Sequence, residues 1–307
     1  MRKWSPLLAI SLSTFMLLVD LTIVSVAAPA MAGALHASFA ALQWTIDLYV
    51  LVLAALMMAA GSISDLLGQR RVFVAGLVIF AVASLACGMA PDTGVLIAAR
   101  GVQGLGAAAM YATNAALLGS TYTGRDRSVA FGVWGAANGA AAAAGPIVGG
   151  LLTEHVGWRA IFLVNFPVAV VAVWIALRAI AGARGPAGGR VDLPGTAAFT
   201  LAATLVVYGL IRAGEHGWTD PVTVGVLVAG AVAAVAFLLV ERGRTHPMMD
   251  LSLFRQPSFS ALMFAGAALT ASAFAHLVFV SLWAQSVLRD GVRWTGRTCA
   301  GRQRLIR

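Results

Sequence analysis

Cysteine is almost absent from this chain: 307 residues hold two, Cys87 and Cys299. Two cysteines so far apart make neither a disulfide framework nor a metal-ligand spacing. Charge is scarce too. Only 11% of the residues are charged, where a soluble domain carries roughly 25%, and that shortage points away from water as the solvent. No Ser-His-Asp set, phosphate-cradling glycine loop or metal cluster can be picked out. His216 with Asp220 and His246 with Asp250 are spaced four apart, but both pairs sit in polar connections between apolar runs. Enzyme chemistry therefore has no foothold, and the chain reads as a non-enzyme without cofactor or metal.

Apolar sequence is what the chain has in quantity, at 60% of its residues. A hydrocarbon core of ~30 Å takes about 20 helical residues to cross. Runs of that kind fall near 6–32, 43–63, 72–90, 94–119, 129–152, 160–181, 195–213, 222–240 and 259–282. They predict nine membrane-spanning helices and no strands. The first run follows Arg2 and Lys3 like a secretory signal, but it is far longer than a signal core and eight more runs follow, so it reads as an uncleaved first helix.

The net charge of +9 would suggest nucleic acid if its location were ignored. With the N-terminus in the cytoplasm, Arg2, Lys3, Arg70, Arg71, Arg125, Arg127, Arg178, Arg184, Arg190, Arg242, Arg244 and Arg255 all fall inside, and only Arg159 and Arg212 fall on outer loops. That asymmetry follows the positive-inside rule. It predicts a multi-pass protein of the cell (plasma or inner) membrane, with the lipid bilayer as partner and nucleic acid excluded. Trp4, Trp44, Trp158 and Trp218 lie near span ends, where tryptophan is expected as an interfacial anchor.

A repeat emerges from the loops. Gly61, Asp65, Gly68 and Arg70 recur 89 residues later as Gly150, Glu154, Gly157 and Arg159. Three spans separate the copies and place them on opposite faces, the pattern of inverted three-span repeats. This organises the chain as a six-span bundle (1–181), a Gly/Pro-rich cytoplasmic linker (182–194), a two-span hairpin (195–240), a second cytoplasmic connection (241–257) and a further span (258–288). The last stretch, 289–307, holds six arginines and no apolar run. On the topology above they would lie outside, against the bias seen elsewhere, so a frameshift or truncated gene model is expected to explain it.

Two charges, Asp20 and Arg100, lie deep within spans, whereas Asp47, near the end of the second run, and His36 flank the outer loop. At 1.5 Å per residue, Asp20 sits about 21 Å from Pro6 and Arg100 about 9 Å from Gly94, so both reach a similar depth from opposite sides. They are expected to pair, each lowering the other's burial cost. Gln103, Tyr111 and Asn114 fall within about 60° of Arg100 on the helical wheel, a polar stripe suited to a cavity or to another helix. A charged side chain in the hydrocarbon core is functional by default; the pair either carries a proton or fixes helix register. Asn138 is a weaker cavity candidate, and His276 a lone polar residue in the ninth run. Gly61 and Gly68 would permit tight turning and close helix approach, Asp65 would cap or pair at a helix end, and Arg70 and Arg71 would hold the cytoplasmic side. In Gly139–Gly150, small residues allow close helix contact and Pro146 can bend its helix.

Taken together, these segments resemble the major facilitator superfamily, in its fourteen-span drug–proton antiporter branch. Asp20-Leu-Thr22-Ile23-Val24 with Pro29 resembles the first-span signature, and Gln43-Trp44 with Tyr49 the start of the second. Gly61, Asp65, Gly68, Arg70 and Arg71 resemble the loop 2–3 motif. Arg100, Gln103, Gly104 and Gly106 resemble the fourth-span motif. Gly139, Gly145, Pro146, Gly149 and Gly150 resemble the fifth-span antiporter motif. Trp158-Arg159, Phe162, Asn165 and Pro167 resemble the start of span six, and Ser281–Leu288 the exit of span nine.

The resemblance implies proton-coupled efflux of small amphipathic compounds such as drugs or antibiotics by alternating access, with the proton as coupling ion; from its place in the span, Asp20 is expected to take up and release that proton as Arg100 or solvent faces it. It implies a conformational latch in the loop 2–3 motif and a hinge and seal in span five. It also implies a C-terminal half beyond Leu288 as a needed partner; without it the chain would be a non-transporting fragment. A carrier of another metabolite on the same fold is the alternative within transport.

Overall fold

The computed structural model describes residues 2–181, 193–242 and 251–272. The sequence-predicted linker lies outside them over 182–192, and the second connection over 243–250. The ninth run lies outside from 273 onward, with His276, and the tail lies wholly outside. Every assigned element among the described residues is helical. The chain divides into two compact units, Met1–Met248 and Met249–Arg307.

In the first unit the helices are α1 (Ser5–Leu35), α2 (Phe39–Leu67), α3 (Gln69–Gly88), α4 (Thr93–Thr121), α5 (Gly124–His155), α6 (Ala160–Leu163), α7 (Asn165–Ala179), α8 (Leu193–His216) and α9 (Pro221–Arg242). Helices α1 to α5 are spans one to five, α6 with α7 make span six, and α8 and α9 are spans seven and eight. Among the described residues, eight helices are long and apolar enough to cross a membrane, with α6 and α7 counted as one. Most are longer than their apolar runs because hydrogen bonding continues through polar turns until a cap stops it. The apolar run 129–152, for instance, becomes a helix that already includes Arg125, Asp126 and Arg127.

Local chemistry sets the ends. Ser38 and Asp92 accept the backbone N–H of Ala41 and Val95, capping α2 and α4. Asp220 caps α9 by accepting from the Thr223 N–H, which holds its carboxyl below the usual range; Arg212 of α8 adds a 3.3 Å ion pair. Gly68 ends α2 at φ +96° and Gly157 follows α5 at φ +112°, a region that a Cβ disfavours. The α6–α7 break at Val164 has a similarly local cause. Pro167 has no N–H to give the Leu163 carbonyl.

Contacts between loops fix which ends share a face. Lys3 pairs with Asp126 at 2.7 Å, the Tyr122 hydroxyl donates to the Lys3 carbonyl, and Ser120 donates to Gln69. Arg70 reaches the Leu177 carbonyl at 2.6 Å. The N-terminus, loop 2–3, loop 4–5 and the end of span six therefore gather at one end of the bundle. At the other end, Arg159 reaches the Ala90 carbonyl at 3.1 Å. This alternation is what consecutive membrane crossings produce.

Inside, α4 is flanked by α2 and α3, while α1 lies against α5, α7 and α4. Glycine sets the closest approach: a Cβ on Gly106 would come within 2.6 Å of the Phe80 nitrogen of α3. Phe73, Leu77, Phe80, Ile10, Met110 and Leu118 fill one core cluster. Outward, Val224, Val228, Val232 and Leu239 of α9 are exposed, a surface suited to hydrocarbon. Helix α8 meets α2 where the Tyr208 ring lies 5.9 Å from Trp44. In the second unit, a 3-10 turn at Leu251–Arg255 leads into helical residues 257–272, with Phe254 edge-on to Phe259 at 5.2 Å.

Candidate functional site

Asp20 and Arg100 are both fully buried and form an ion pair, Nη1 to Oδ2 at 2.5 Å. Four further elements converge on it. The Gln103 amide donates to Asp20 Oδ1 at 3.0 Å, and the Asn165 amide, at the start of α7, donates to the same oxygen at 2.9 Å. Arg100 Nε donates to the Thr45 carbonyl of α2, and its Nη1 also reaches Gln103 Oε1 at 2.7 Å. Gln103 in turn donates to Ser84 of α3 and accepts from the Cys87 thiol. The guanidinium stacks 4.0 Å from the Tyr49 ring centroid and lies 5.9 Å from that of Phe162. Its Nη2 alone has no hydrogen-bond partner.

The arrangement follows from the solvent. A charge withdrawn from water is tolerable only with a counter-charge and satisfied hydrogen bonds. Here one carboxylate holds one guanidinium and two amides. Neutralising that carboxylate would leave the guanidinium without its counter-charge.

The remaining stripe of α4 does not stay together. Asn114 is buried about three turns beyond Gln103, and belongs to a separate neutral cluster. Its Nδ2 donates to Thr14 at 2.8 Å, its Oδ1 accepts from Ser13, and the Trp134 indole N–H of α5 also donates to Thr14 at 2.7 Å. Tyr111 leaves the stripe: it is 36% exposed and faces Trp134, with ring centroids 6.5 Å apart. The neighbours of α4 change along its length, α2 and α3 lying near Gly104 and Gly106 while Arg127 of α5 joins near Gly119, so one helical angle meets different surroundings. Asn138 donates to the Trp134 carbonyl of its own helix, and its Oδ1 is buried without a partner.

The loop 2–3 motif divides by role. Gly68 supplies the left-handed turn, while Gly61 faces open space, where a Cβ would meet nothing within 4 Å. Close approach is therefore not its task among the described residues. Asp65 is exposed in the last turn of α2 and, among the described residues, neither caps nor pairs there; free N–H groups lie at helix starts, not ends. Arg71 is exposed. Arg70 and its repeat counterpart Arg159 do equivalent work at opposite ends, each tying span three to span six through a backbone carbonyl.

Span five divides in the same way. A Cβ on Gly145 would overlap the Thr22 hydroxyl, and one on Gly149 would come within 2.6 Å of Ile23 Cγ1, so these two seat α5 on α1. Gly139 and Gly150 face open space. Pro146 lies inside a helix that continues unbroken to His155. Trp158, expected at the interface, is buried instead, edge-on to Phe162 with Arg159 4.4 Å from its ring centroid.

Sequence reasoning did not connect Asn165, Ser84, Thr45 or Cys87 to Asp20, nor Thr14 and Trp134 to Asn114. For Asn165 a signal was present: a polar residue inside an apolar run, two before a proline, marks a polar contact at a helix break.

With this geometry in view, the comparisons with known proteins agree. The family model described as Major Facilitator Superfamily matches residues 10–296. The tetracenomycin C resistance and export protein of Streptomyces glaucescens is 37% identical over 287 residues, covering 93% of this chain and 53% of that protein. The multidrug resistance protein Stp of Mycobacterium tuberculosis is 37% identical over 255 residues, 83% of this chain and 48% of that one. The methylenomycin A resistance protein of Bacillus subtilis is 34% identical over 282 residues, 92% and 60%. The chain thus spans about half the length of the curated relatives it matches. Among solved structures, the peptide transporter POT in complex with sulfate shares the fold, with a TM-score of 0.56 at 14% identity over 77% of this chain and 52% of that one. Helices, buried ion pair and family model converge: the chain belongs to the Major Facilitator Superfamily, a family of membrane transporters rather than enzymes.

Proposed function

We propose that this bundle serves proton-driven export of small amphipathic compounds, drugs or antibiotics among them, with Asp20 carrying the coupling proton. The observation that carries the proposal is the fully buried Asp20–Arg100 pair. A proton arriving at Asp20 cancels its charge and loosens Arg100; its departure restores the pair. Those are two states of the contact between spans one and four, which alternating access can use. The resistance and export relatives support the direction of transport.

In this reading residues 1–181 rock as a unit, with the 195–240 hairpin inserted after it and the span over 258–288 opening a second bundle, for which the relatives' greater length has room. Gln103, Tyr111, Asn114 and Asn138 line the substrate path. Gly61, Asp65, Gly68, Arg70 and Arg71 act as a latch, while Gly139, Gly145, Pro146, Gly149 and Gly150 make a hinge and seal. The end that gathers Lys3, Arg70, Arg71, Arg125, Arg127 and Arg178 faces the cytoplasm of a cell-membrane protein.

Ethidium efflux by the full-length protein, with and without a protonophore, tests this. Efflux should stop when the proton gradient collapses, and Asp20→Asn should fall to the empty-vector rate. If Asp20→Asn retains the full gradient-driven rate, Asp20 is a static pairing residue. Gradient-driven uptake of a nutrient would replace export with the metabolite-carrier reading.

A further inference from the structure

The two oxygens of the Asp20 carboxylate are not equivalent. Oδ1 accepts from two amides, Gln103 at 3.0 Å and Asn165 at 2.9 Å. Among the described residues, Oδ2 accepts from Arg100 Nη1 alone. A carboxylate oxygen offers two lone pairs, so Oδ1 is filled while Oδ2 keeps one free. From this we infer that Asn165 is a positioning residue. Together with Gln103 it closes Oδ1, so the proton enters at Oδ2, the oxygen held by Arg100. The inference rests on the reading of Asp20 as the proton carrier.

A proton from solvent forms one O–H bond at the free lone pair of Oδ2, and no covalent bond breaks. The carboxyl becomes neutral, Arg100 stays charged, and the ion pair is lost at the very atom that gained the proton. Arg100 keeps the Thr45 carbonyl, Gln103 Oε1 and the Tyr49 ring face.

Gln103 cannot easily trade its donor for its acceptor. Its Nε2 also holds Ser84, and its Oε1 also receives Arg100 and Cys87. Asn165 is differently placed, at the α6–α7 break that Pro167 imposes. Its amide is the link from span six to Asp20, so the direction of the proton depends on how that break is held.

Among the described residues, the titratable and charged groups around Asp20 are Arg100 from α4, Tyr49 from α2 and Cys87 from α3. Span six contributes the Asn165 amide and the Phe162 ring, neither of which titrates in water. Helix α5 meets α1 at Thr22 and Ile23, through Gly145 and Gly149.

Infrared difference spectroscopy of the chain in lipid bilayers separates the two oxygens. A proton on Oδ2 leaves Oδ1 as the carbonyl of the acid, with two donors on it. Acidification should therefore raise a protonated-carboxyl C=O band that is missing in Asp20→Asn. In Asn165→Leu, which keeps the shape and removes the donor, that band should move to higher frequency. Asn165→Ala, which removes the donor without new bulk, should do the same; circular dichroism reports whether each variant is folded. Tyr122→Phe, at the start of α1 and away from Asp20, should leave the band in place. An Asp20 band that Asn165→Leu and Asn165→Ala leave unmoved puts the proton on Oδ1 and overturns the inference, with Asp20 still the carrier. The absence of any Asp20-dependent band across the pH range overturns both.

Discussion

Two polar layers cross the interior of this bundle, both seated on α1 and α4. The layer at Asp20 is charged and draws partners from α2, α3, α4 and α7. The layer at Thr14, about 9 Å nearer the start of α1 by helical rise, is neutral and draws on α4 and α5. Hydrocarbon surroundings impose the same requirement on both, that every buried polar group find its partner within the protein. The difference lies in what failure costs. Losing a partner in the neutral layer strands a hydroxyl or an amide; in the charged layer it strands an ion.

The sharpest way to break that contrast is to remove one charge. Asp20→Asn leaves Arg100 buried without its counter-ion, and such a loss costs roughly 3–5 kcal/mol. Thermal unfolding in detergent should show it, and the double change Asp20→Asn with Arg100→Met should recover most of it. A single variant as stable as the parent would erase the distinction between the layers.

The seating of α1, which both layers share, comes next. Gly145→Val should cost about 1–3 kcal/mol by overpacking against Thr22, whereas Gly139→Val, in open space, should stay within about 0.5 kcal/mol. Equal melting temperatures for the two would deny that α5 is seated by Gly145.

In the neutral layer, Thr14→Val removes the acceptor for both Asn114 and Trp134. Interhelical hydrogen bonds in membranes are worth about 0.6 kcal/mol each, up to ~1.7 kcal/mol, so the loss should be well below that at Asp20. Denaturant titration of the two variants side by side decides the ranking.

The smallest effect belongs to the start of α1, where the Tyr122 hydroxyl accepts from the Leu7 N–H and donates to the Lys3 carbonyl. Tyr122→Phe should cost about 1 kcal/mol. Burial pushes this phenol above its ordinary value of 10.0. Its folded value is thus raised, so its share of stability is complete below pH 10 and is lost as pH climbs through the raised value. Melting curves of parent and Tyr122→Phe should converge only in that alkaline range.

Much of the charged layer was legible because two constants relate residue number to depth. A helix rises by a fixed distance and a bilayer has a fixed thickness, so Asp20 and Arg100 were placed at one level before any packing was known. Rotation carries no such constant. Tyr111 shares a wheel angle with Arg100 yet faces another neighbour. Likewise Gly145 and Gly139 belong to one motif, yet one touches α1 and the other nothing within 4 Å. Trp158 sits at a span end, where an interfacial anchor was expected, but the start of span six turns its ring into the core.

The sequence by itself determined the membrane class, the eight crossings found among the described residues, the repeat and the two buried charges, because hydropathy and helical rise act along the chain. Only tertiary structure decided that Asn165 and Gln103 share one oxygen of Asp20. It also decided that Arg70 and Arg159 tie span three to span six from opposite ends. Hydrogen bonds between helices depend on how each helix turns toward its neighbours, and that is settled by packing, where glycine admits close approach and proline breaks a turn.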